Sequence, residues 1–322
     1  MRVVFLGSGH FAVPALRWLD ASEHQITLVI TQPARRSGRG RKRTPTLVHS
    51  AATELGLEVF ETEDVNTDNA VSTIRGTDSR LGVVVAFGQL LRGRLLGALP
   101  AGCINLHASL LPKYRGAAPI NWAIVRGEEV TGCTVFRIVK ELDAGPVLST
   151  RQTAIGAGET AGELHDRLAV LGVDAVAEAL AMFEGDNVPA GRPQDDTVAT
   201  SAPRLKKSDG AIDFARPADV VLNHIRGMTP WPGAATRFQA RDGRWENVTI
   251  TRARCARGFA GPELPPGTID GRQLVALPGG RLEILRLKPS GGREMCWGEY
   301  MNGRHVAEGD RFALPAQDDK RA

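Results

Sequence analysis

Asn105-Leu106-His107 ends a short apolar run, and Ala108-Ser109-Leu110-Leu111-Pro112 and Lys113-Tyr114-Arg115-Gly116-Ala117-Ala118-Pro119 follow directly. In an extended chain residues two apart share a face, so the carboxamide of Asn105 and the imidazole of His107 point into the same space. That pair suits acyl transfer: an amide donor steadies a developing oxyanion, and an imidazole moves a proton near neutral pH. An Asn-x-His pair also serves to cap a turn, and spacing alone leaves both readings open. A third partner could be Asp143, in the turn Lys140-Glu141-Leu142-Asp143-Ala144-Gly145. A carboxylate beside an imidazole favours the cationic ring. Glu141 competes for that role, and a turn aspartate is also an ordinary turn former.

Two other clusters carry chemical promise. Gly7-Ser8-Gly9-His10-Phe11-Ala12 formally fits the GxGxxG/A turn that sets a dinucleotide pyrophosphate on a helix N-terminus. An NAD site would want an acid near the end of the second strand, where Ile30-Thr31-Gln32 has none; Arg35 and Arg36 could instead receive an NADP phosphate. Small residues there also simply let a helix pack close to a sheet. The second cluster is Arg35, Arg36, Arg39, Arg41, Lys42 and Arg43, six cations within nine residues with two glycines and no acid. Like charges so dense repel, and the segment is expected to stay disordered until a polyanion neutralises it. A solvated surface loop is the plainer alternative.

These groups need a scaffold. Apolar, β-branched runs at 3–6, 26–30, 81–87 and 102–106 alternate with helical periodicity at 11–19 and 47–55. Such alternation predicts an α/β unit with a mostly parallel sheet covered by helices on both faces. A later strand is expected at 133–139, not necessarily parallel to the rest. A long helix is expected over 159–183, opened by a Thr160–Glu163 capping box. Residues 185–208 lose periodicity and read as a linker. A short helix at 219–225 and strands at 235–239, 248–253, 267–269, 273–276 and 282–287 then predict a small, mainly β unit of barrel-like spacing. The boundaries expected are 1–188, a linker at 189–207, 208–314, and a polar, disordered tail at 315–322.

The chain has 322 residues and a net charge of +4, so it is no histone-like or tail-like polycation. Charge is instead local: residues 204–257 hold 11 cations against 5 acids, a larger surplus than the whole chain's. Cys103, Cys133, Cys255 and Cys296 lie far apart, which argues against a disulfide scaffold or zinc knuckle and for a reducing compartment. No run approaches the roughly 20 apolar residues that span a bilayer, and the N-terminus reads as a strand rather than a signal peptide. A cytoplasmic protein, free of the membrane, is expected.

Asn105-x-His107-x-Ser109-Leu110-Leu111-Pro112, Arg115-Gly116-Ala117-Ala118-Pro119 and Leu142-Asp143-Ala144-Gly145 together resemble the folate-dependent formyltransferases. Thr31-Gln32-Pro33 leading into Gly38–Lys42, the run 202–207, Met228-Thr229-Pro230-Trp231-Pro232-Gly233 and Leu287–Arg293 resemble the members that act on aminoacylated initiator tRNA. The likeness spans nearly the whole chain. It implies a Rossmann-like N-terminal domain and a small C-terminal β-barrel resembling an OB-fold. It implies 10-formyltetrahydrofolate as donor, with no metal and no NAD(P), and the α-amine of methionine on initiator tRNA as acceptor. Asn105, His107 and Asp143 match the family's catalytic trio, and Ser109, Leu110, Leu111 and Pro112 its folate-contacting loop. The basic segment around Arg39 matches the insertion that engages the tRNA acceptor end, and Lys206 and Lys207 are expected to add phosphate contacts. A monomer is expected. Gly7-Ser8-Gly9-His10 departs from the family's more frequent Gly-Thr-Pro followed by an acid. Val139-Lys140-Glu141 is similar to the sugar-nucleotide formyltransferases, an alternative with the same donor and a different acceptor.

Overall fold

The structure, a computed structural model, describes residues 1–37, 42–183, 185, 187–256 and 263–314. Expectations at Arg39, Arg41 and the tail 315–322 lie outside those residues, as do the side chains of Arg36 and Lys42. The chain divides into two compact units, one formed by Met1–Pro119, Val130–Thr153 and His165–Pro203, the other by Ile120–Glu129, Ala154–Leu164 and Arg204–Ala322.

The first unit is built on a seven-stranded sheet. Its spatial order is Val147–Ala154, Val130–Arg137, Cys103–His107, Leu81–Val85, Arg2–Gly7, Gln25–Thr31 and Val59–Glu61. The five strands from Cys103–His107 to Val59–Glu61 run parallel. They are apolar because both of their faces are covered: Val3, Val4, Phe5, Val29, Ile30, Leu81 and Val85 are fully buried. The strand Val130–Arg137 runs antiparallel to Cys103–His107, pairing Phe136 with Asn105 and Thr134 with His107. The chemistry-bearing pair therefore sits within the strand, one residue further in than the apolar run indicated.

The first helical stretch is a single 3-10 turn, His10–Ala12, followed by the helix Val13–Asp20. The helix Ala161–Ala181 opens with the expected capping box, the Glu163 carboxylate accepting from the backbone and hydroxyl of Thr160 at 2.9 Å each. This helix lies close on the sheet at Gly172, where an added Cβ would come within 2.7 Å of Leu106.

Among the described residues two segments show backbone pairing that composition did not suggest. Arg35–Ser37 and Lys42–Thr44 pair as an antiparallel hairpin, with Arg35 opposite Thr44 and Arg36 opposite Arg43. Backbone pairing satisfies the chain there, while the exposed Arg35 and Arg43 keep their charges in water. Part of the stretch 189–207 is paired as well. Ser201–Ala202 forms a parallel bridge with Arg115–Gly116, and the amides of Tyr114 and Arg115 bond Thr200 at 2.9 and 2.8 Å. Extended, Pro- and Gly-rich chain carries no periodic signal, yet its backbone groups can still be paired one by one.

In the second unit the strands Val275–Leu277, Gly280–Pro289, Trp245–Cys255, Ala234–Gln239 and Arg311–Ala313 form one antiparallel sheet, with Met295–Cys296 also pairing Gly280–Pro289. Residues 267–269, expected as a strand, instead link the two edges. Gly267 donates to Ala276 and accepts from Phe312, both at 2.8 Å. A Cβ on Gly267 would sit 2.2 Å from the Phe312 carbonyl oxygen at φ +85°, so only glycine closes the barrel there. The helix Ala218–Gly227 packs on Trp245–Cys255. Among the described residues no helix is long and apolar enough to cross a membrane.

Candidate active site

Asn105 and His107 occupy the C-terminal end of the innermost parallel strand's neighbour, Cys103–His107, at the edge where open α/β sheets place their ligands. His107 is buried, with 7% of its side chain exposed, and its Nε2 lies 2.8 Å from the Tyr114 carbonyl oxygen. A carbonyl only accepts, so Nε2 carries a hydrogen and Nδ1 is the atom left for proton exchange. Nδ1 faces Oδ2 of Asp143 at 3.8 Å, and the aspartate side chain is only 13% exposed. The same Oδ2 accepts the Gly116 amide at 2.8 Å, which fixes the carboxylate without consuming its second oxygen. Sequence left Asp143 and Glu141 open; here Asp143 meets the ring, while Glu141 lies on the exposed rim.

The loop that carries Asp143 is held by a residue that sequence reasoning missed. Asp143 is in the left-handed backbone region at φ +52°. The Gln194 Nε2 donates to the carbonyls of Asp143 and Gly145 at 2.8 and 2.7 Å, and its Oε1 accepts from Nε and a terminal nitrogen of Arg115 at 3.1 and 2.8 Å. Each hydrogen-bonding atom of that amide is used. Gly116, next to Arg115, has φ +121°, and a Cβ there would lie 2.6 Å from the Ala202 carbonyl oxygen. Gln194 stands in the aperiodic stretch, where no pattern distinguishes a structural glutamine from a solvated one.

A cavity of about 620 Å³ opens beside this group. Asn105 and Asp143 line it with Phe136, Ile138 and Leu142, and its opposite wall is the loop from Gln89 to Gly93. That volume and the mix of an apolar wall with few polar groups fit a small-molecule site. Leu90 and Leu142 stand 65% and 56% exposed at its edge. The Ser109–Pro112 segment is held by hydrogen bonds of its own. Ser109 is fully buried and donates to the Lys113 carbonyl at 2.6 Å, and Thr134 Oγ1 accepts from the Leu111 amide at 3.2 Å while donating to the Ser109 carbonyl at 2.7 Å.

The Gly7–Ala12 turn is stitched to a neighbouring strand exit. The amides of Ser8 and Gly9 both donate to the Ala86 carbonyl at 3.3 Å, and Ser8 Oγ bonds Phe87 and Gln32. Amides committed in this way do not point at a pyrophosphate.

Residues 1–180 match the formyl transferase family, and residues 204–305 match the formyl transferase C-terminal domain. The chain belongs to the formyl transferase family. Its relatives include the methionyl-tRNA formyltransferase of Solibacter usitatus, 41% identical over 97% of this chain and 98% of that protein. Those of Heliobacterium modesticaldum and Halorhodospira halophila are 39% and 42% identical, over 97% and 96% of this chain and 100% and 98% of theirs. Among solved structures, HypX from Aquifex aeolicus in complex with tetrahydrofolic acid is similar with a TM-score of 0.60 at 18% identity, covering 94% of this chain and 47% of that one. WlaRD, a sugar 3N-formyl transferase, is similar with a TM-score of 0.63 at 16% identity over 88% and 97%. At those identities the likeness is one of fold. The α/β unit with its mostly parallel sheet and the barrel-like second unit are thus those of a formyl transferase, an enzyme family whose donor is a folate derivative.

Proposed function

We propose that this formyl transferase moves a formyl group from 10-formyltetrahydrofolate to the α-amine of methionine on initiator tRNA, and that Asn105, His107 and Asp143 perform the step. The observation that carries the chemistry is the His107–Asp143 pair at 3.8 Å beside the cavity that Asn105 lines. The acceptor rests on the relatives named above, which align with 96–97% of this chain.

The amine attacks the formyl carbon and a tetrahedral centre forms with negative charge on its oxygen. The Asn105 carboxamide donates to that oxygen. His107 exchanges the proton through Nδ1, taking it from the attacking nitrogen and returning it to the leaving folate nitrogen. Asp143 supplies the countercharge while Nδ1 is protonated. The apolar cavity walls receive the folate, and Ser109, Leu110, Leu111 and Pro112, a segment held at the strand exit by Thr134, contact it as the family's loop does. Arg35, Arg36, Arg39, Arg41, Lys42 and Arg43 in the first unit, and the exposed Lys206 and Lys207 in the second, supply the positive charge that tRNA phosphates would meet. The four cysteines that sequence separates are all free thiols, in keeping with work in the reducing cytoplasm.

Incubation with labelled 10-formyltetrahydrofolate and either methionyl-initiator tRNA or a nucleotide-linked amino sugar tests the reading. Label is expected on methionine. Label on the sugar alone would replace the acceptor while leaving the donor chemistry in place.

A further inference from the structure

Two histidines and an aspartate outside the proposed reaction converge in the first unit. His10 lies in the 3-10 turn that follows the first strand, and His165 and Asp166 lie on the helix Ala161–Ala181. Nδ1 of His10 and Nδ1 of His165 face the same Asp166 oxygen at 3.4 and 3.0 Å. The two rings are nearly parallel, with centroids 5.7 Å apart and 19° between their planes. Phe11 packs edge-on against His165 at 5.4 Å, which steadies that ring. All three donor atoms lie within 4.8 Å of one another, the one such group of three among the described residues.

We propose that His10, His165 and Asp166 form a binding site for a borderline divalent cation of the zinc class, with two imidazole nitrogens and one carboxylate oxygen as ligands and water completing the shell. A tetrahedral zinc with bonds of about 2.0–2.1 Å holds its ligands about 3.3 Å apart. Modest rotations of half-exposed side chains bring these atoms to that spacing, since 55%, 35% and 67% of the three side chains are open to solvent. Two imidazoles select zinc, nickel or copper over magnesium and calcium, which prefer all-oxygen shells. The ion displaces any proton shared between Nδ1 and the carboxylate, so its binding releases protons. It would tie the turn after the first strand to the helix that backs Cys103–His107, and stabilise the first unit by mass action. This inference is independent of the acceptor and of the catalytic roles proposed above.

The test is calorimetric titration of the full chain with zinc chloride after stripping with a chelator. One zinc per chain with micromolar affinity is expected. His10→Ala and His165→Ala should each weaken binding by more than the roughly tenfold that losing even an outer-shell partner costs. Both variants should melt like the parent in the presence of chelator, which separates loss of a ligand from loss of the fold. Absence of saturable binding overturns the site, and so does unchanged affinity in the doubly substituted chain, since the ion would then reside elsewhere, for instance on the exposed Cys296 thiol. Displacement of zinc by equimolar magnesium would also overturn it.

Discussion

His107 donates from Nε2 to the Tyr114 carbonyl, which leaves Nδ1 as the one atom that can exchange a proton. Asp143 reaches that atom only because its loop is pinned, and Gln194 does the pinning from 51 residues away. Gln194→Leu removes both donors and the acceptor at once. Turnover should fall about 10²-fold, the cost of a misplacement near 1 Å, with the circular dichroism spectrum kept. Gln194→Glu, which still accepts from Arg115, should fall less, and the loss should lie in kcat rather than in KM for tRNA. A Gln194→Leu enzyme turning over at the parent rate would remove this residue from the site. Asn105 and His107 were legible because a period of two fixes which residues share a strand face. Asp143 was visible as a turn aspartate whose reach no spacing could state. Gln194 was invisible, since its role depends on two carbonyls and a guanidinium brought by other parts of the chain.

The elements were legible where burial imposes a rhythm. Parallel strands buried on both faces read as apolar runs, and the helix Ala161–Ala181 shows both its stripe and its cap. The edge strand Val147–Ala154 escaped because only Val147–Ser149 is buried, while from Thr150 on exposed Thr150, Gln152 and Ala154 alternate with half-buried Arg151 and Thr153. Residues 267–269 looked like a strand but serve as the barrel's closing link, a role set by the neighbouring edges rather than by local propensity. The capping box allows a quantitative check. Thr160→Ala should destabilise the protein by about 1 kcal/mol in denaturant unfolding. The Thr160 amide, then the Arg252 guanidinium and the Thr160 hydroxyl, hold the Glu163 carboxyl below its ordinary value of 4.5. A carboxyl with a lowered folded value contributes fully above the ordinary value, and the contribution is lost as pH falls through the lowered one. Glu163→Gln should therefore flatten the acid limb of the stability profile below pH 4.5 and leave stability nearer the parent's at lower pH. An unchanged acid limb would show that the cap carries no charge-dependent stability.

At the scale of the whole molecule, charge counting from sequence overstated the free positive surface of the second unit. Arg244 pairs with Asp242, Arg254 with Glu283 and Arg252 with Glu163, while Arg226 is buried against the Gly156 carbonyl. Arg204, Lys206, Lys207 and Arg216 stay exposed. Affinity for tRNA should fall linearly on a log–log plot against salt, and each of Arg43→Ala, Lys206→Ala and Lys207→Ala should lower the slope by about 0.7–0.9. Substituting the paired Arg254 should change it least. Equal slopes for all four variants would mean that the phosphates are met elsewhere. Domain order and fold class could be read from the alternation of periods, but which cations are committed to partners could not, because pairing is a property of folded neighbours.

Single-turnover transfer of labelled formyl to methionyl-initiator tRNA by His107→Ala and Asn105→Ala tests the chemistry most directly. The rate should drop roughly 10²–10⁴-fold without His107 and about 10²–10³-fold without Asn105, with both variants folded and binding tRNA as the parent does. Transfer at the parent rate by either variant would contradict the assignment of that side chain to the reacting centre.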